Sequence, residues 1–155
     1  VNHINERYNY KKPDIIDNAY VVVNFKNGVR GLLDLCMFAE NSDMQEELLA
    51  LGNKGKIETS VPSHQSGKSS SEIRIGLRKN LKTKRQIIKV DKKILNAGYH
   101  YGSTYYQHLS FINAIKKRIK AEVSLQDGLV AVAIGEAAEK SIKEKRLVYM
   151  KEIIN

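Results

Sequence analysis

AYVVVNFKNGVRGLLDLCMF, residues Ala19 to Phe38, decides the fold class. Its first run, Ala19 to Phe25, is β-branched and aromatic, and Asn27-Gly28 precedes a second apolar run, Val29 to Phe38. An Asn-Gly pair between apolar runs is the strongest short hairpin signal, because both central residues of a type I′ turn need positive φ. The spacing predicts two antiparallel strands and a tight turn. Glu46 to Leu51 and Lys56 to Val61 repeat the pattern across Gly52-Asn53-Lys54-Gly55. Ser63 to Ser71 has the Ser/Gly composition of a loop. Glu72 to Arg78 then alternates, with Ile73, Ile75 and Leu77 on one face and Glu72, Arg74 and Arg78 on the other. Arg85 to Asp91 pairs with it by the same logic. The first half reads as an antiparallel meander of about six strands.

The period changes in the second half. Ser103 is placed to cap a helix in which Leu109, Ile112, Ile115 and Ile119 follow at spacings of three and four. Ser124-Leu125-Gln126-Asp127 resembles a capping box, with an acid at the third helical position to answer the backbone amides. The helix it opens carries only Glu136 as a charge between Gly128 and Ala138, and its small residues let a neighbour approach closely. Arg146 to Met150 reads as a short closing strand. Strands first and helices after predict an α+β fold, a mostly antiparallel sheet covered on one face by helices. Residues 1–155 read as a single domain.

Composition narrows the function classes. The 155 residues are 42% hydrophobic, which a disordered chain would not be. One cysteine, Cys36, excludes an intrachain disulfide, and in mid-strand it is expected to be an inert core thiol. Four histidines without a Cys-x-x-Cys pair predict no metal site. Gly128 to Ala138 is about half a membrane span, and no basic-then-apolar leader opens the chain. A cytoplasmic, reducing location without a membrane partner is expected. The net charge of +9 is concentrated in RKNLKTKRQIIKVDKK, Arg78 to Lys93, where Asp91 is the one acid. A phosphate-binding face and the solvated face of an outer hairpin both fit such a run. It lacks aromatics for base stacking and a recognised motif, so a nucleic-acid partner is not expected.

The densest chemistry lies between Tyr99 and His108, YHYGSTYYQH, which holds Tyr99, Tyr101, Tyr105, Tyr106, His100 and His108 around a helix start. Such a cluster offers proton-transfer groups and hydroxyl partners for a polyhydroxylated or anionic ligand. It equally suits a helix entry whose rings pack under a sheet. Gly-x-Gly-x-x-Gly, Walker and Gly-x-Ser-x-Gly motifs are absent. Glu46 and Glu47 point to opposite strand faces and make a poor carboxylate pair. Asp14 and Asp17 form a second acidic pair. No catalytic and no cofactor-binding residue is assigned.

Several segments in order resemble the carboxy-terminal domain of the glucose–fructose oxidoreductase / inositol dehydrogenase / rhizopine-catabolism (Gfo/Idh/MocA) family. They are Asp14-Ile15-Ile16-Asp17-Asn18-Ala19-Tyr20 with Val21 to Gly31, and Leu33-Asp34-Leu35-Cys36-Met37-Phe38-Ala39-Glu40. Gly52-Asn53-Lys54-Gly55-Lys56-Ile57-Glu58, Gly102-Ser103-Thr104-Tyr105-Tyr106, Ser124-Leu125-Gln126-Asp127-Gly128-Leu129 and Ser141 continue the series. The resemblance implies an open-faced sheet of the dihydrodipicolinate-reductase-like carboxy-terminal type. It further implies an NAD or NADP cofactor bound by an amino-terminal Rossmann domain upstream of Val1, together with the family's catalytic lysine and histidine. This chain would then be the substrate-pocket and dimerisation domain of an oxidoreductase acting on a sugar, polyol or related hydroxy compound. It would form a homodimer through the sheet face. In relatives the loop after the second strand faces substrate, which points to Phe38, Ala39, Glu40 and Asn41; the helix entry adds His100, Tyr105 and His108. The alternatives are a non-enzymatic module that binds an anionic partner with the hairpin 78–93, and an orphan dimerisation domain without activity.

Overall fold

The computed structural model describes residues 15–39, 42–63, 66–68, 70–98 and 100–154. Two compact units emerge, Val1–Ala39 with Lys120–Asn155, and Glu40–Ile119. Six strands occur among the described residues, all paired antiparallel, but in two sheets rather than one meander. Three α-helices follow the strands, which makes the fold α+β.

In the first unit, β1 (Asn18–Asn24) pairs with β2 (Arg30–Cys36), from Asn18 opposite Cys36 to Asn24 opposite Arg30. Alternation puts Ala19, Val21, Val23, Gly31 and Leu35 on a half-buried side and Tyr20, Val22 and Leu32 on an exposed one. Cys36 is exposed. The core thiol expected from its apolar neighbours is therefore corrected, because register places it with the outward set. The turn also differs from the type I′ expected. The Gly28 amide bonds to the Phe25 carbonyl at 3.0 Å and the Phe25 amide to the Val29 carbonyl at 2.9 Å. Gly28 has φ 84° whereas Asn27 keeps a negative φ. This is the three-residue loop in which a type I turn is followed by a left-handed glycine, and the Asn27 side chain accepts from the Val29 amide at 3.1 Å.

The second unit holds the sheet β3-β4-β5-β6: β3 (Met44–Gly52), β4 (Gly55–Pro62), β5 (Ser70–Leu77) and β6 (Lys84–Lys89). Gly52 faces Gly55 across Asn53-Lys54. A Cβ on Gly55 would collide with the Gly76 carbonyl oxygen, so a bare backbone lets β5 close against the β4 start. The registers align Glu46, Leu48, Ala50, Ile57, Thr59, Ile73 and Ile75 on one face. They align Leu49, Leu51, Lys56, Glu58, Glu72, Arg74, Arg85 and Ile87 on the other. On the second face Lys56 meets Glu58 at 2.8 Å, while Glu72 meets Arg74 at 3.8 Å and Arg85 at 3.5 Å. The Lys56 hydrogen bond holds the Glu58 carboxyl below its usual range.

Helix α1 (Lys92–Leu95) lies where the sequence pattern shows no helix; the Asp91 carboxylate caps it by accepting from the Lys93 amide at 2.7 Å. Helix α2 (Ser103–Lys117) begins where expected, but its N-cap is Gly102 rather than Ser103. Helix α3 (Leu125–Glu144) in the first unit carries the capping box read from the sequence. The Ser124 hydroxyl accepts from the Asp127 amide at 3.2 Å, and the Asp127 carboxylate accepts from the Ser124 amide at 2.8 Å. The Ser124 hydroxyl, which also donates to that carboxylate at 2.6 Å, and then the Ser124 amide hold the Asp127 carboxyl below its usual value. Ala133 on α3 and Ala114 on α2 are buried, as is Pro62 at the end of β4.

The closing strand expected over Arg146 to Met150 is corrected to an extended segment ending in a 3-10 turn, Met150–Glu152. Its side chains bind back to the end of α3. Arg146 meets Glu144 at 2.5 Å and Glu152 at 2.7 Å, the Ser141 hydroxyl donates to the Arg146 carbonyl at 2.6 Å, and Lys140 lies 3.5 Å from Glu152. Arg146 first, then the Tyr149 amide, pull the Glu152 carboxyl down to about 2.

Candidate functional site

The helix entry of the second unit is built by backbone strain. His100, Tyr101 and Gly102 have φ of 57°, 54° and 87°, three left-handed residues in succession. For non-glycine residues this costs about 1–3 kcal/mol each, and it persists only where surroundings over-determine it. Those surroundings are visible. Gly102 is buried, and a Cβ on it would stand 2.9 Å from Val90 Cγ1 and 3.1 Å from Ile94 Cγ2. The Ser103 hydroxyl donates to the His100 carbonyl at 2.7 Å. Ser103 therefore ties the strained turn to the first helical residue instead of capping the helix. The turn packs against β4 and α1.

The His100 ring is fixed from the sheet. Its Nδ1 lies 2.5 Å from Glu46 Oε1 on β3 and 3.4 Å from the Gln45 side-chain nitrogen. A carboxylate only accepts and an amide nitrogen only donates, so the two contacts demand opposite roles of Nδ1. The shorter, charge-assisted contact decides, and Nδ1 donates to Glu46. Both side chains are half-exposed, at 46% and 44%. The neighbouring Tyr101 hydroxyl is enclosed without a hydrogen-bond partner among the described residues, and burial pushes its phenol up from the ordinary value.

The other expected residues are less gathered. Tyr105 and His108 lie exposed on the first two turns of α2, and Tyr105 packs edge-on to Tyr106 at 5.6 Å. Among the described residues no hydrogen bond or ring contact joins either to His100. Phe38 is half-buried in the turn after β2, in the other unit. Glu40, Asn41, Tyr99 and Asp14 lie outside the described residues. Glu46, which strand parity separates from Glu47, finds its partner in a histidine 54 positions away, a pairing without any local signal. Asp17 has a structural place that its sequence neighbours do not reveal. It is 1% exposed, its carboxylate accepts from the Asn18 amide group at 2.7 Å, and its carbonyl accepts from the Met37 amide at 2.8 Å, closing the base of the hairpin.

The described strands pair antiparallel throughout and thus lack the parallel βαβ crossover whose helix N-terminus receives a pyrophosphate. The residues described do not fit a dinucleotide. No three His, Cys, Asp or Glu side chains converge among them as a metal would require. No helix among them is long and apolar enough to cross a membrane.

The profile described as "Oxidoreductase family, C-terminal alpha/beta domain" matches residues 2–151. A myo-inositol 2-dehydrogenase of Thermotoga maritima is 28% identical over 148 residues, which cover 90% of this chain and 38% of that protein. The chain thus spans under two fifths of the length of this curated relative.

Proposed function

The chain belongs to the Gfo/Idh/MocA oxidoreductase family, as a C-terminal α/β domain, and from that premise we propose that it shapes the substrate pocket and the dimer contact of an NAD(P)-dependent dehydrogenase. The substrate class is a sugar, polyol or related hydroxy compound. The observation that carries this reading is the similarity to a myo-inositol 2-dehydrogenase over nine tenths of the chain. The polar-aromatic helix entry is suited to such a ligand, because imidazole and phenol groups bond hydroxyls while rings pack on C–H faces. His100, Tyr105 and His108, with Phe38, Glu40 and Asn41, are the proposed substrate contacts. Hydride chemistry belongs to NAD or NADP held by a preceding Rossmann domain, and no residue of this chain is assigned to it. The reading carries a cytoplasmic location with it.

The test is turnover by the full-length polypeptide containing this domain, with NAD⁺ and NADP⁺ in turn, against myo-inositol, other cyclic polyols and aldoses. Oxidation of one of them, with KM raised by His100→Ala or Tyr105→Phe, is the expected result. No turnover with any pair overturns the substrate class, and unchanged KM and kcat in both variants remove the cluster from the pocket. For the homodimer, exposed Leu49, Leu51 and Ile87 lie among the ion pairs on one sheet face. Light scattering that finds only monomer at high concentration refutes that contact.

The hairpin Arg78 to Lys93 is read as solvated surface. Its cations are exposed, and Arg85 is the one that meets an acid, Glu72, among the described residues. A salt-sensitive mobility shift with RNA or DNA would instead favour an anion-binding module.

A further inference from the structure

We propose that Glu46 is a positioning residue, which holds the His100 imidazole so that Nε2 accepts a hydrogen bond from a hydroxyl of the bound ligand. The identification of the ligand as a polyol rests on the reading just given; the Glu46–His100 pair does not. Two independent observations carry it. The first is the 2.5 Å contact between Nδ1 and Glu46 Oε1, in which Nδ1 carries the proton because a carboxylate oxygen can only accept. A neutral imidazole whose Nδ1–H is held by a carboxylate has its tautomer set, with the lone pair on Nε2. Nε2 is left without a partner among the described residues, on a side chain that is 46% exposed.

The second observation is the backbone. His100 and Tyr101 both sit in the left-handed region, where side chains are rarely placed, and Gly102 extends the run. Strain of this kind clusters at sites where a side chain must be aimed. The strained turn brings His100 back over the face of β3 that carries Glu46, Leu48 and Ala50. The chemistry follows from the inventory of groups. A neutral imidazole with Nδ1–H committed to a carboxylate has one lone pair to offer, and a ligand hydroxyl is a donor of matching geometry. A ligand that lacks that hydroxyl would leave the lone pair unmet, which is how a site of this kind discriminates.

The experiment uses the full-length polypeptide with ¹³C,¹⁵N-histidine, and reads the His100 tautomer by long-range ¹⁵N–¹H correlation without substrate. Wild type is expected to show the Nδ1–H form. Glu46→Ala is expected to shift His100 towards Nε2–H, and Glu46→Gln, whose amide oxygen still accepts, is expected to retain Nδ1–H. Finding Nε2–H in wild type, or no change in Glu46→Ala, overturns the pair whatever the substrate proves to be. The second arm is steady-state kinetics with myo-inositol. Glu46→Ala and His100→Ala should each raise KM about tenfold or more, with Glu46→Gln nearer to wild type. A KM unchanged in all three variants overturns the ligand contact. Should wild type turn over no polyol, the substrate reading fails, and the tautomer arm still decides the pair. Glu46→Gln also serves if the alanine variant does not fold.

Discussion

Replacing Gly102 with alanine tests the construction of the helix entry more sharply than any change in its polar groups. Two costs add at this position. The backbone stands at φ 87°, where a Cβ costs about 1–2 kcal/mol. The new methyl would also sit 2.9 Å from Val90 Cγ1 and 3.1 Å from Ile94 Cγ2. Carbon atoms prefer roughly 3.5–4.0 Å, so both side chains must give way, an overpacking cost of about 1–3 kcal/mol. The sum is about 2–5 kcal/mol, or a fall in Tm of about 4–20 °C at about 2–4 °C per kcal/mol for a chain of this size. Gly67 is the internal control. It lies in the same unit with φ 64°, and a methyl placed on it would meet nothing within 4 Å among the described residues. Gly67→Ala therefore carries the backbone cost alone, about 1–2 kcal/mol. Thermal and urea unfolding of both variants measure the difference, which isolates crowding by Val90 and Ile94. If Gly102→Ala is no more destabilising than Gly67→Ala, the packing that anchors the strained turn is refuted.

Three other perturbations have defined outcomes. Ser124→Ala removes one half of the capping box and should cost about 1 kcal/mol, seen as a lower Tm with native helix content at low temperature. The Glu152 carboxyl titrates at about 2 in the folded chain against 4.5 ordinarily, so its contribution is present above pH 4.5 and is lost as pH falls towards 2. Arg146→Met removes the largest cause, and its stability should fall less steeply than wild type over that acid window in urea titrations. Cys36 is exposed, so about one thiol per chain should react with a disulfide reagent without denaturant; protection of Cys36 until unfolding would refute the hairpin register.

The strands are legible because a period of two survives in a single sequence. Ile73, Ile75 and Leu77 share one face by register, as their alternation with charges requires. The capping box of α3 is equally legible, because both partners lie within one turn of chain. What escapes reading depends on information that is not local. The division into two sheets turns on whether β2 and β3 pair, and neither strand's pattern encodes its neighbour. The closing strand fails for a related reason. Leu147-Val148-Tyr149 has strand composition, but Arg146, Glu144 and Glu152 bind that segment to the end of α3. The cap of α2 falls one position before Ser103, since a buried left-handed glycine takes the capping place.

The site shows the same boundary from the other side. Parity correctly separates Glu46 from Glu47, since neighbours on a strand point apart. Parity also sends Glu46 to the face shared by Ala50 and Ile57, and that is the face over which the strained turn delivers His100. The alternation that excludes a carboxylate pair is thus half of what makes a carboxylate–imidazole pair. The other half is three left-handed residues, of which only Gly102 leaves a mark in the sequence. His100 and Tyr101 carry side chains that give no sign of positive φ, so the sequence reads there as an ordinary helix entry whose rings pack under the sheet. It is the strained backbone together with the Glu46 contact that separates a positioned imidazole from a solvated one.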